Sequence, residues 1–538
     1  MSAEALFTLV ALLVAVYAVM PTQRRLNLGL RLGLTGWSIG AATLVLLHWI
    51  KYRIVIEQMG FHATIGHWRW GLDDESGSYL VFVSGTILVV LASKLGKLSR
   101  RQLPDLSDLI ERLLLSGSYA DVAFLLEAHS ERMSKLSRTE GPLVRLHDWI
   151  RPTPRLQWRV RGDGTGDLRS IGPAEPRGLD VVRIRLAKLL PSEDRRTAAV
   201  RELESRVYTN APLLAEIART RPALAIRLVS ARSEHRWSGL ERLVTAWLAD
   251  PGGILYYEIN RNQSLSDSHR YWYPPENRVI SFLVADPKRA HDLAVYKPFG
   301  DDSLRELTRL KNLGADDPYR EPLGYYQEDG RWHCRLHATI RIFDFMVSEA
   351  LYQGETYHMW LTYLTLIAQR IDANLIDLRG DVDSSSEFPT PYHFLLYEIL
   401  ATHRHWIDAG AKLPRDQENV VIKSVDSSTI DATLLKWAIV SLGDCLRIVL
   451  LSPRLSARFK GDALEATLRL CQDVDAADRV PNASEALQRA VANGGNRLMG
   501  PDPEYAEALR AAAHDVDHVV LFALRDSAEL GKLIRAQG

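Results

Sequence analysis

Cysteine is nearly missing from this chain: Cys334, Cys445 and Cys471 are the only three in 538 residues. They lie far apart and form no CxxC pair. That excludes a disulfide framework and an all-cysteine zinc module, and it fits a reducing compartment. Net charge is missing as well, with 66 Lys and Arg against 66 Asp and Glu. A chain without a basic surplus does not bind nucleic acid mainly by neutralising phosphates, so no nucleic-acid partner is expected. Catalytic signatures are also absent: there is no GxSxG elbow, HExxH pair, EF-hand loop, zinc-deaminase motif or kinase set. The glycines of "RGDGTGD" (161–167) do not make a phosphate cradle. Such a loop must run straight into a helix N-terminus, and here prolines and further glycines follow with no Walker lysine. No fixed repeat period is present. No cofactor is expected, and an enzyme is the less favoured reading.

What the chain does have begins with apolar runs. Residues 5–20 are free of charge, 32–50 are 19 residues without Lys, Arg, Asp or Glu, and 79–93 extend to Leu98 if Lys94 snorkels. A helix needs about 20 mostly apolar residues to cross the hydrocarbon core. The sequence therefore predicts a three-helix transmembrane anchor over 1–98, with spans at about 4–22, 32–50 and 78–97. "MSAE" lacks the basic start of a cleaved signal peptide. Arg24, Arg25 and Arg31 follow the first run, and Lys94, Lys97, Arg100 and Arg101 follow the third, both without nearby acids, while the loop 51–78 is mixed. The positive-inside rule then puts the N-terminus and that loop outside and the bulk of the chain in the cytoplasm of a multi-pass cell (inner) membrane protein. "HWRW" (67–70) reads as an interfacial anchor. His48 alone is too little for an ion or proton pathway. Gly29, Gly33, Gly36 and Gly40 give two GxxxG spacings, which predict close helix packing in lipid, within the chain rather than between copies.

Beyond the anchor the pattern is mainly α. A helical segment is expected over 99–150, a linker or hairpin over 151–180, and a large helical cytoplasmic domain with minor β content over 181–538. Paired helices are expected over 107–133, joined at Gly117 and capped by Ser107 or Asp108, and over 222–250, broken near Ser238-Gly239. The alternating or β-branched stretches 155–162, 253–259 and 278–285 read as strands. "MWLTYLTLIA" (359–368) is too short and "LLKWAIVSLGDCLRIVLL" (434–451) too charged to be spans, so both read as core helices.

The densest reactive cluster is "RWHCRLHATIRIFDFMVSEAL" (331–351). Leu336, Ile340, Phe343, Val347 and Leu351 mark the buried stripe of an amphipathic helix. At about 100° per residue, His333, His337 and Asp344 share a face. Asp344 lies about 10 Å along the axis from His337, too far for one metal, and Arg341 pairs naturally with it. His333 and His337 remain a candidate metal pair only if His358, Asp372, His403 or His405 folds onto them; otherwise this is the polar edge of a core helix. Asp377, Asp381, Asp383 and Glu387 resemble a solvated loop leading to a helix capped by Thr390 near Pro391. "NRNQSLSDSHRYWYPPENR" (260–278) is the favoured place for a partner surface, at His269, Arg270, Tyr271, Trp272 and Tyr273. The expected function is an integral membrane protein presenting a cytoplasmic helical interaction module, as scaffold, sensor or adaptor. Its expected partners are the bilayer and a protein on the cytoplasmic side, and a homo-oligomer is compatible. The alternatives are a membrane-tethered metal-dependent hydrolase using His333, His337 and acids from 372–383, and a pore-forming effector.

Overall fold

A computed structural model describes residues 3–60, 73–96, 98, 102–138, 156–160, 168–173, 193–231, 233–263, 270–414, 419–422, 433–495, 502–524 and 530–531. It is mainly helical. The chain divides into two compact units, Met1–Ile217 with Arg227–Arg236, and Ala218–Ile226 with Trp237–Gly538.

In the first unit the apolar runs become α1 (Ala3–Val19), α2 (Thr22–Lys51) and α4 (Asp74–Leu95), with the short α3 (Arg53–Gln58) after α2. Of the described helices, only Asp74–Lys94 is long and apolar enough to cross a membrane by itself. The expected three spans are thus reduced to one clear one. Helix α1 has 17 residues, and α2 is bent by 81° between Leu32 and Gly36, so it qualifies only as a broken span. Asp73 caps α4 by accepting from the Ser76 N–H at 2.8 Å, and Asp74 and Glu75 complement the dipole of its first turn. Ile87, Leu88, Val90 and Leu91 on α4 are exposed, as are Leu44 and Val45 on α2.

Helices α2 and α4 pack antiparallel, and the close approach is at Gly85, where a Cβ would collide with the Thr43 side chain. At Gly29 and Gly40 a Cβ would meet nothing within 4 Å, and at Gly36 only Leu32 of its own helix. Gly33 lies within α2 near the bend. Gly29, Gly36 and Gly40 therefore do not form the contact between these two helices. Thr43, on the partner helix, carried no pattern that would have pointed to Gly85.

Helices α5 (Leu103–Leu115) and α6 (Tyr119–Arg138) join at Gly117, whose φ of 72° is the left-handed conformation that glycine adopts without strain. Helix α5 starts earlier than expected: Gln102 stands at its N-cap with Pro104 in its first turn, and Ser107 and Asp108 lie inside it. Strands β1 (Leu156–Val160) and β2 (Leu168–Pro173) pair antiparallel, and the "RGDGTGD" segment between them lies outside the described residues, as does "HWRW". Helices α7 (Glu193–Thr209), α8 (Ala211–Thr220), α9 (Pro222–Ser230) and α10 (Arg236–Leu248) follow. The break between the last two falls before Arg236, so Ser238 and Gly239 sit inside α10, with Gly239 buried.

The second unit is a helical assembly. The segments 253–259 and 278–285, expected as strands, are the helices α11 (Ile254–Arg261) and α12 (Arg278–Val284). Their β-branched and aromatic residues are there because Leu255, Ile259, Val279 and Ile280 are buried, and burial outweighs local propensity. Next come α13 (Pro287–Asp292), α14 (Tyr296–Leu313), the short α15 (Gly324–Glu328), α16 (Arg335–Gln353), α17 (Met359–Asn374), α18 (Pro391–Ala411), α19 (Leu434–Leu451), α20 (Ala457–Ala477), α21 (Ala483–Asn493), α22 (Pro503–Ala513) and α23 (His518–Ala523). The two runs read as core helices fall in α17 and α19. Helix α19 packs against α17, α18, α21 and α22, and Gly443 on it lies against the backbone of Ala490 and Gly495. Helix α18 starts at Pro391 after Thr390, as expected, but the Thr390 hydroxyl bonds the His393 ring at 2.8 Å rather than capping a backbone N–H.

Candidate functional site

Helix α16 is the centre of the second unit, and it starts two residues later than the histidine argument requires. Gly330–His333 is a separate 3-10 turn, and Cys334 is the N-cap of α16, its sulfur accepting from the His337 N–H at 3.4 Å. His333 is therefore not on the helix that carries His337, and the shared face disappears. The His333 ring is half exposed, with Nδ1 at 2.9 Å from the Pro251 carbonyl and Nε2 at 3.7 Å from Asp329. His337 is buried against the rings of Trp332 and Phe394, with Nε2 at 3.9 Å from Glu398. Burial, with Arg341 and Arg331 adding like charge, pushes the His337 pKa down to about 3. His337 is thus a neutral ring at physiological pH.

The other candidate ligands have their own surroundings. His358 stacks on Trp437 at 4.2 Å. The His403 ring lies between the Ile399 carbonyl at 2.7 Å and the Ser441 hydroxyl at 2.8 Å. The His405 ring packs edge-on to Tyr271, and Asp372 exerts its charge on Lys460. In the acidic loop, Asp377 pairs with Arg454, Asp381 with Arg379 at 3.3 Å, and Asp383 accepts from the Ser385 N–H and hydroxyl. Among the described residues, no group of three or more His, Cys, Asp and Glu side chains is placed to hold a metal ion.

The polar edge expected for this helix is also absent. From Leu336 to Leu351 every residue of α16 except Arg341 is buried, so its polar side chains face protein on all sides. They are matched from elsewhere in the unit. The Asp344 carboxylate accepts from the Tyr271 hydroxyl at 2.5 Å, Arg341 Nη1 at 2.8 Å and Trp406 Nε1 at 2.9 Å. Arg341 Nη2 also donates to the Tyr271 oxygen at 3.3 Å. Five residues further on, Glu349 is 1% exposed and receives Arg270 through Nε at 3.1 Å and Nη2 at 2.7 Å, plus Gln353 Nε2 at 2.8 Å. A buried carboxylate left without such donors costs several kcal/mol, so these contacts are conditions for the helix to sit where it does. Glu398 faces Arg341, Arg331 and Arg404, and burial nevertheless raises its carboxyl above the usual range. The same burial lowers Arg404.

The segment proposed for partner binding supplies two of these donors. Tyr271 is buried, Arg270 lies at the surface and reaches Glu349 with its guanidinium, and Tyr273 packs edge-on to Phe345 at 6.3 Å. Trp272, between the two tyrosines, is 67% exposed. His269 lies outside the described residues. Sequence reading paired Arg341 with Asp344 but missed Trp406, Glu349 and Glu398. The one available signal was three acids or hydroxyls, Asp344, Ser348 and Glu349, inside an otherwise apolar helix.

In the first unit a cavity of about 280 Å³ opens beside α6 and α7, lined by Leu126, Met133, Val207, Tyr208 and Leu228. It holds one carboxyl raised by burial, Glu204. No family model, curated protein or solved structure matches this chain.

Proposed function

We propose that this chain is a membrane-anchored protein that presents a helical body on the cytoplasmic side as an interaction module, a scaffold or adaptor rather than an enzyme. The observation that carries the reading is the alternation at Arg270–Tyr273. Arg270 and Tyr271 are tied to the buried Glu349 and Asp344, Tyr273 packs on Phe345, and Trp272 is held outward between them. An exposed tryptophan on a segment anchored to buried carboxylates loses little conformational freedom on binding, and tryptophan is over-represented among the residues that dominate interface energies. The Asp344 and Glu349 carboxylates of α16 are matched by Arg341 and by donors from elsewhere in the unit, which supports a structural rather than catalytic use. The outward apolar faces of α2 and α4 support the membrane anchor.

All three native cysteines are buried, so a single introduced thiol reports its own accessibility. Trp272→Cys in intact cells should resist a membrane-impermeant maleimide and react once the membrane is opened. Affinity capture with the wild-type chain in mild detergent should recover a protein that Trp272→Ala does not. Labelling in intact cells would sink the cytoplasmic placement, and capture that is indifferent to Trp272 would sink the interaction site.

A further inference from the structure

The basic residues on either side of the apolar runs are separate in sequence, and the fold brings them together. Helix α2 turns by 81° between Leu32 and Gly36, so the arm Thr22–Leu32 runs nearly at right angles to Gly36–Lys51. The latter packs antiparallel on α4 through Thr43 and Gly85. At the far end of α4, Gly96 lies directly against the Arg31 carbonyl, and Gln102 Nε2 donates to the Leu30 carbonyl at 2.7 Å. Lys94, in the last turn of α4, therefore sits at the level of the arm that carries Arg24, Arg25 and Arg31.

This elbow is positive, and among the described residues no ion pair joins Arg24, Arg25, Arg31 or Lys94 to an acid. The whole of α2 contains no Asp or Glu. Arg25 Nη2 donates to the Thr22 hydroxyl at 3.3 Å and Arg31 Nε to the Asn27 side-chain carbonyl at 3.2 Å, both neutral acceptors. Two of the three acids on neighbouring α6 have their own cations: Glu127 pairs with Arg227 at 3.5 Å and Glu131 with Lys135 at 2.5 Å. Arg24 and Lys94 are exposed. The arm also carries Leu26, Leu28 and Leu30 between its arginines and Leu32 after them.

We propose that Arg24, Arg25, Arg31 and Lys94 form a binding surface for anionic phospholipid headgroups, at the face of the bilayer where α4 ends. The proposal rests on the membrane reading above: the spans fix the depth of the elbow, and the elbow then selects phosphate-bearing lipid of net negative charge over zwitterionic lipid. Cations near an anionic leaflet are attracted to it, by roughly fivefold in binding for each charge, and salt screens the effect.

The test uses the full-length chain in detergent, titrated with phosphatidylglycerol or phosphatidylcholine and read by native mass spectrometry, beside reconstitution into vesicles of each composition. Wild type should retain phosphatidylglycerol at least about tenfold better than phosphatidylcholine. The variant Arg24→Gln/Arg25→Gln/Arg31→Gln/Lys94→Gln should lose that preference, while Arg24→Lys/Arg25→Lys/Arg31→Lys should keep it. A wild type that inserts into both vesicles without preference overturns the headgroup site and leaves the membrane reading standing. A chain that stays in aqueous solution without detergent overturns the membrane reading itself. A glutamine variant that keeps the preference, or a lysine variant that loses it, overturns the assignment to these charges. Competition by soluble glycerol phosphate as effective as by lipid would reassign the site to free phosphate.

Discussion

The Tyr271 hydroxyl donates to the buried Asp344 carboxylate at 2.5 Å across 73 positions of sequence, and the same carboxylate holds Arg341 and Trp406. This contact attaches an otherwise irregular segment to the central helix. Removing Asp344 leaves the Arg341 guanidinium inside the protein without its counter-ion, so Asp344→Ala should cost about 3–5 kcal/mol. Tyr271→Phe removes one of the donors to that carboxylate and should cost about 1–3 kcal/mol. The double variant should be less destabilised than the sum, because the lost partners overlap. Denaturant midpoints of the three variants measure this, and strict additivity would show that the two side chains act independently.

Acid should weaken the second unit through its buried histidines. Burial lowers His337 to about 3, and His393 and His403 to about 4, against about 6.5 in an unfolded chain. A lowered histidine is favoured in its neutral form by the fold. The stability it contributes is complete above about pH 6.5 and is lost as pH falls toward the folded value. Each of the three should cost about 1.4 kcal/mol by pH 5.5. His403 provides the cleanest check, since its ring lies between the Ile399 carbonyl and the Ser441 hydroxyl. His403→Gln should lower stability at pH 7.5 and flatten its fall between pH 7 and 5.5; an unchanged slope would mean that His403 does not titrate there.

Helix α19 has no room for a methyl group at Gly443. A Cβ there would come within 2.6 Å of the Gly495 nitrogen and 2.7 Å of the Ala490 carbonyl oxygen, and backbone cannot swing aside as a side chain can. Gly443→Ala should destabilise by about 1–3 kcal/mol or more, despite alanine's better helix propensity. A thermal midpoint equal to wild type would show that α19 and the end of α21 can separate without loss.

The membrane-proximal glycines should split into two classes. Gly85→Val must push α4 away from Thr43, so it should lower the thermal midpoint of the detergent-solubilised protein. Gly29→Leu and Gly40→Leu project into open space within the chain and should leave that midpoint unchanged. Loss of an oligomer on size exclusion in the latter pair would instead assign those positions to contacts between copies.

Trp272→Ala should separate binding from folding. At 67% exposed, its ring contributes little to the interior, and the change in stability should stay within about 0.5 kcal/mol. If Trp272 is a dominant contact, partner affinity should fall by about thirtyfold. A large loss of stability with unchanged capture would reverse the assignment of its role.

Much of the architecture is legible in local pattern. Gly117 marks the turn between α5 and α6 because its φ of 72° suits glycine. Thr390-Pro391 marks the start of α18 because proline fits the first turn of a helix. The apolar runs 359–368 and 434–451 mark core helices because the first is too short and the second too charged for a lipid-spanning segment. The same reasoning failed at 253–259 and 278–285, where β-branched and aromatic residues serve burial on helices. It failed again at His333, where the cap at Cys334 starts the helix two residues too late to include it.

Composition and period thus determined by themselves that the chain is helical, that its apolar runs cluster before residue 98, and that its cysteines staple nothing. They fixed these because each depends on neighbours within a few residues. Only the tertiary structure decided that α16 has no solvent-facing edge, that Asp344 and Glu349 find donors in Arg270, Tyr271 and Trp406, and that Gly85 rather than Gly40 is where two helices touch. Those partners lie tens of residues apart, and no spacing in one dimension encodes which carboxylate a distant tyrosine will meet.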